Sequence, residues 1–172
     1  MNTPSPILSL TQVATSDLDR ELTVTRRMLA RVPDEHLGWK PHERSMTLGA
    51  LAMHIANILY WQLSILQEDG IDLADNPPAR PPGSRAEVLE AFDARAEQVR
   101  GVIAGLDADV LGQPWQLRHS GHVRFERPRA AVLREWGISH LVHHRGQLSV
   151  YLRLLDVPLP SVYGPTADEG PS

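Results

Sequence analysis

The sequence predicts an all-α fold, a four-helix bundle with a short β-hairpin set before its last helix. Three observations predict it. Four stretches carry apolar residues at three- and four-residue steps. None of them is followed by a strand in a βαβ alternation. Residues 68–83, between the second and third stretches, are rich in Pro, Gly and Asp. That segment exceeds the roughly two to eight residues that join antiparallel neighbours, so it reads as a long crossover between helices 2 and 3.

The first helix is expected from about Ile7 to Val32, with Leu18, Leu22, Leu29 and Val32 on its apolar stripe and Pro33 as its stop. Residues 1–6 read as a frayed end. The second begins near Ser45 or Thr47, either of which can cap it, and runs to about Gln67 along Leu48, Leu51, Ile55, Ile58, Leu59 and Leu66. The third opens on the capping-box pattern Ser84-Arg85-Ala86-Glu87 and ends near Gly105. Trp115-Gln116-Leu117 and Val123-Arg124-Phe125 alternate apolar and polar residues around His119-Ser120-Gly121-His122, the pattern of a hairpin with a Ser-Gly turn. The fourth helix is expected over about Ala130 to Asp156, before Val157-Pro158-Leu159-Pro160. Residues 161–172 have little core-forming content and are expected to be flexible or peripheral. A chain of 172 residues, 42% hydrophobic and 22% charged, suits one domain spanning 1–172 with a real core.

A net charge of −4 without a long basic run gives no electrostatic footprint for nucleic acid or an anionic membrane. There is no cysteine, which excludes disulfides, thiolate ligands and a cysteine nucleophile. A metal site would have to use His, Asp, Glu or water. The first residues lack the basic and apolar regions of a signal peptide, and no apolar run reads as a membrane span. The expectation is a cytoplasmic protein.

Eight histidines are present, three of them within His140-Leu141-Val142-His143-His144. His140 and His144 are four apart and project from one helix face. The spacing alone decides little, since this composition gives roughly 0.4 such pairs by chance. Their place decides more: both occupy the apolar stripe of the fourth helix, and His54 lies at the margin of the stripe of the second. Buried imidazoles must satisfy both nitrogens. Convergence on a cation does so; so does a separate bond from each core-edge histidine to a carbonyl or a Trp, and both readings stand at this point. Leu141 fills the slot that a zinc protease gives to its Glu base, so the stretch is not His-Glu-x-x-His. His143 points about 100° away from His144 and reads as a neighbour rather than a ligand. Asn57, Arg145, Gln147, Trp61 and Trp136 are the remaining candidates for the surroundings of the site. His36, His42, His119 and His122 fall in loops and read as surface residues. Gly146, in mid-helix, costs roughly 1 kcal/mol relative to Ala, and close helix packing is the expected compensation.

Three stretches together resemble the DinB/YfiT-like superfamily. They are Trp39-Lys40-Pro41 with Ser45 to Ala56, which holds the lone His54; His140-Leu141-Val142-His143-His144-Arg145-Gly146-Gln147; and Tyr151 to Pro165. The resemblance implies an antiparallel four-helix bundle, a divalent metal (nickel or zinc) held by His54, His140 and His144 with water completing the shell, and a homodimer. Characterised relatives include thiol S-transferases that use a low-molecular-weight thiol as cosubstrate, isomerases and hydrolases. The expected function is therefore a metal-dependent thiol S-transferase or hydrolase acting on a small molecule, with no catalytic group assigned beyond the metal-bound water. The alternative is a non-catalytic dimeric stress-response or ligand-binding protein with a structural or vestigial metal.

Overall fold

The computed structural model describes residues 17–76 and 79–170. Residues 7–16 of the expected first helix lie outside the described residues. Helix α1 spans Leu18–Leu29, with Asp19 and Glu21 in its first turn and Arg26 and Arg27 in its last, the arrangement the helix dipole favours. It ends earlier than Val32 because the chain tightens: Arg31 and Val32 donate to the carbonyls three residues back, Met28 and Leu29. Helix α2 spans Leu48–Gln67, and Thr47 is its cap, accepting from the Ala50 amide at 3.2 Å.

By length and composition alone α2 would suit a membrane span, but in this fold most of it is buried in the core. The sequence did not read as containing a run of that kind because His54, Asn57 and Gln62 interrupt it.

The segment read as a plain crossover contains a strand, β1 (Gly70–Asp72), and a short 3-10 turn, Leu73–Asp75. Three residues are too few for alternation to reveal. A Cβ at Gly70 would come within 2.3 Å of the Gln116 carbonyl oxygen, so the neighbouring strand can approach only a glycine there. Helix α3 spans Arg85–Ala104. Ser84 accepts from the Glu87 amide at 3.2 Å, but the Glu87 carboxylate reaches back to the Gly83 amide rather than to Ser84. A short helix α4 (Ala108–Gly112) leads into β2 (Pro114–His119) and β3 (His122–Pro128). Ser120 and Gly121 both have positive φ, 51° and 77°, as a two-residue hairpin turn requires. β1 pairs parallel with β2, and β2 antiparallel with β3, so the expected hairpin is two-thirds of a three-stranded sheet. The fold is mostly helical rather than all-α.

Residues 129–154 form one helical run in three parts: α5 (Arg129–Val132), a π-helical turn (Leu133–Ser139) and α6 (His140–Leu154). Apolar residues gather in two clusters. Leu22, Leu51, Ile55, Phe92, Leu141 and Leu148 represent the first, which joins α1, α2, α3 and α6. Ile65, Ile71, Trp115, Leu117, Val132 and Leu133 represent the second, beneath the sheet. Arg129, 3% exposed, donates to the Ile65 carbonyl at 2.8 Å and to the Glu68 carbonyl, and pairs with Asp69. It satisfies the orphan carbonyls at the C-terminus of α2.

The segment expected to be flexible or peripheral is described to Gly170 and is bonded in place. Glu169 pairs with Arg27 at 2.6 Å and Arg31 at 2.7 Å, Asp168 pairs with Arg153, and Ser161 is buried.

Candidate metal centre

His54 comes from α2, and His140 and His144 from the first two turns of α6. The fold brings the three rings together. His54 Nε2 is 3.4 Å from His140 Nε2, which is 2.9 Å from His144 Nε2. One ligand atom from each residue lies within 4.8 Å of the other two. Two nitrogens bound to one tetrahedral zinc at the usual bond length sit about 3.3 Å apart, a value close to the His54–His140 separation.

The proton arrangement gives an independent test of fit. His144 Nδ1 donates to Gln147 Oε1 at 2.7 Å, so its Nε2 carries a lone pair. The His140 ring bonds the Trp136 backbone. Because His140 Nε2 faces the other two histidines, Nδ1 is the atom that reaches Trp136. Two Nε2 lone pairs 2.9 Å apart repel unless a cation lies between them. Partly buried imidazoles favour the neutral form that metal ligation needs. Burial, then the neighbouring His144 and His140, pushes His54 down to about 4. Burial also lowers His140, as does His144, against the Trp136 bond that raises it. Burial lowers His144 against the Gln147 bond that raises it. The three residues fit a divalent ion.

All three are only partly buried, and a cavity of about 340 Å³ opens beside them, lined by Glu135, Trp136, Ser139, His140 and His143. Trp136 stacks on Trp61, with centroids 5.7 Å apart and planes 9° from parallel, and meets His140 edge-on at 6.2 Å. Trp136 thus stands against the His140 ring, with Trp61 stacked behind it. His143 is exposed and its ring packs 4.8 Å from that of His144, outside the cluster of three, as a neighbour rather than a ligand. Asn57, half-buried on α2, makes no hydrogen bond to the three histidines among the described residues.

Arg145 is a correction. It was expected among the surroundings of the site, but it is 3% exposed and lies on another face of the helix from His144, paired with Glu21 at 2.6 Å. It also donates to Thr25 Oγ1 at 3.1 Å and to Tyr163 Oη at 2.6 Å. Five residues separate it from His140, about 140° round the helix. A second cavity, of about 360 Å³, lies on that side, lined by Arg20, Glu21, Arg134 and Tyr163 among others and by none of the three histidines. Gly146 is another correction: a Cβ there would meet nothing within 4 Å, so close packing is not its reason.

Two features escaped the sequence reading. One is the π turn immediately before His140. The other is Gln62, fully buried, whose Nε2 donates to the Gly137 carbonyl at 3.1 Å. Its signal was a polar residue four after Ile58 and three before Ile65, within the apolar stripe of α2.

A sequence model of the DinB superfamily matches residues 17–148. No curated protein sequence matches the chain significantly. Among solved structures, a DinB-like protein from Bacillus cereus superposes with a TM-score of 0.66 at 22% identity, covering 87% of this chain and 95% of that one. A DinB-like protein from Bacillus subtilis does so with a TM-score of 0.66 at 18% identity, covering 87% and 96%. At these identities the likeness is one of fold.

Proposed function

The chain belongs to the DinB superfamily, and we propose from that premise that it is a metal-dependent enzyme centred on His54, His140 and His144. The observation that carries this is the convergence of three neutral imidazole nitrogens beside an open cavity. The ion would be zinc or nickel. When bound, such an ion acidifies a coordinated water or thiol and makes it a nucleophile near neutral pH. The chain's own groups do the rest. Gln147 fixes the His144 tautomer, and the Trp136 backbone fixes that of His140. The Trp61–Trp136 stack excludes water from one side. The reaction is thiol S-transfer from a low-molecular-weight thiol, or hydrolysis, on a small-molecule substrate.

A non-catalytic protein with a structural or vestigial metal would be favoured by a sealed site or a fourth protein ligand. Among the described residues no further His, Asp or Glu joins the three. We read the four long helical segments as an antiparallel four-helix bundle, supported by the core they share. The proposal includes a cytoplasmic homodimer, for which Val150 and Leu154, exposed one turn apart on α6, supply an apolar face.

Elemental analysis of purified protein tests the centre. The wild type is expected to carry one divalent ion per chain, and His54→Ala and His144→Ala to lose most of it. Full metal in both variants would sink the assignment. A thiol-transfer screen with an electrophilic aromatic substrate then tests the reaction.

A further inference from the structure

The winding of the last helical run slips once. Arg129, Val132 and Leu133 are buried; then Gly137 and Ile138; then Leu141, Arg145, Leu148 and Leu152. Steps of three and four run through this set, Leu133 to Gly137 to Leu141 included, while the adjacent pair Val132–Leu133 recurs five residues on as Gly137–Ile138. The slip coincides with the π turn Leu133–Ser139. One extra residue per turn rotates everything after it by about 100° relative to a continuous α-helix. Before the slip the helix faces the cluster beneath the sheet; after it, the helix faces the core shared with α1, α2 and α3. If the phase of Val132 and Leu133 ran on unchanged, Leu141 and Leu148 would leave that core. His140 and His144 would rotate away from His54 with them.

Gln62 sits at the matching point on α2. The fully buried apolar residues of α2 up to Leu59 belong to the first cluster, and Ile65 and Leu66 to the second. Between them Gln62 is 0% exposed and donates to the carbonyl of Gly137, in the middle of the slip. A Cβ on Gly137 would lie 3.1 Å from Gln62 Cγ and 3.0 Å from Leu133 Cδ1, so glycine and glutamine fit each other. Gln62 Oε1 is buried without a partner among the described residues, a loss that an apolar side chain there would avoid. Side-chain donors inserted into a helical ladder are a recognised cause of local distortion.

We propose that Gln62 is a positioning residue of the metal centre: its amide holds the π turn that brings His140 and His144 round to His54. This rests on the reading that the three histidines bind a metal. Two variants attack the contact from opposite sides, Gln62→Met, which keeps length and loses the amide, and Gly137→Ala. Val99→Ala, in the first cluster and away from the turn, is the control. Zinc affinity is measured by competition with a chromophoric chelator. Amide exchange over residues 133–140 is measured in the metal-free protein. Gln62→Met and Gly137→Ala are expected to weaken zinc binding by about 10- to 100-fold and to speed exchange across the turn. Val99→Ala is expected to lower the melting temperature and leave zinc affinity within about twofold. Zinc affinity at the wild-type level in the folded Gln62→Met or Gly137→Ala protein would overturn the proposal. So would an equal loss in Val99→Ala. A wild type that binds no zinc or nickel would instead bring down the metal reading itself, whatever the exchange data show.

Discussion

The two apolar clusters are built differently. The first collects Leu, Ile, Val and Phe from long helices, each contributing a stripe at regular spacing. The second collects Trp115 and Leu117 from a strand, Ile71 from a three-residue strand, and Val132 and Leu133 from one helical turn. Periodicity announces the first, whereas the second is assembled by pairing between segments 46 residues apart, Gly70 with Gln116. The candidate centre lies beside the place where the two meet: the helix run shared by both changes its winding just before His140, and Trp136, packed against the second cluster, meets the His140 ring. A site at such a join is held by two cores without being buried in either.

The sharpest way to test that comparison is to empty each cluster in turn. Phe92→Ala and Trp115→Ala each remove a fully buried aromatic ring and are expected to cost about 3–5 kcal/mol in denaturant melts. Because α2 and residues 129–154 run through both clusters, each variant should show one transition. Two transitions in Trp115→Ala would mean that the sheet cluster melts alone. Next comes the staple on the far side of α6. Tyr163 Oη donates to Glu21 at 2.7 Å and accepts from Arg145, so Tyr163→Phe should lose about 1–2 kcal/mol. Metal content should be unchanged, since Arg145 and Tyr163 face away from His144; coupled loss of metal would join the two sides of the helix.

A smaller effect is expected from pH. Burial, then the neighbouring His144 and His140, pushes His54 down from 6.5 to about 4 in the metal-free fold. Between those values the unfolded chain binds more protons, so stability rises with pH. It is complete above 6.5 and falls as pH drops towards 4, by about 1 kcal/mol once partial exposure is discounted. Removing the imidazole with His54→Ala should make that slope shallower in urea melts, leaving the part contributed by the likewise lowered His140 and His144. The smallest effect has the opposite sign. With nothing near its absent side chain, Gly146→Ala should raise stability by about 0.5–1 kcal/mol, read as a higher melting temperature.

What could be read beforehand follows the same division. The stripes of α2 and α3, the caps Thr47 and Ser84, and the Ser120-Gly121 turn are local signals, and each forms as the residues dictate. The convergence of His54 with His140 and His144 was legible because imidazoles on apolar stripes demand a partner. β1 was not, because Gly70-Ile71-Asp72 is a strand only by virtue of β2. Nor was the place of Arg145, because the helix face it lies on is fixed by the π turn and by Glu21, 124 residues away. An arginine on a helix beside a histidine looks exposed until its partner is known.

The bonds from Glu169 to Arg27 and from Tyr163 to Glu21 each span 142 residues. Closing a loop of that size forfeits chain entropy that local contacts never face, so such bonds form late in folding. On the ribosome, Arg27 emerges long before its carboxylate partner has been translated. Until then helix α1 holds to its neighbours through Leu18, Leu22, Met28 and Leu29 and, once α3 has been made, through the pairs of Arg26 with Asp93 and of Asp19 with Arg100. Among the charges of α1, Arg27 and Glu21 therefore wait longest for their partners.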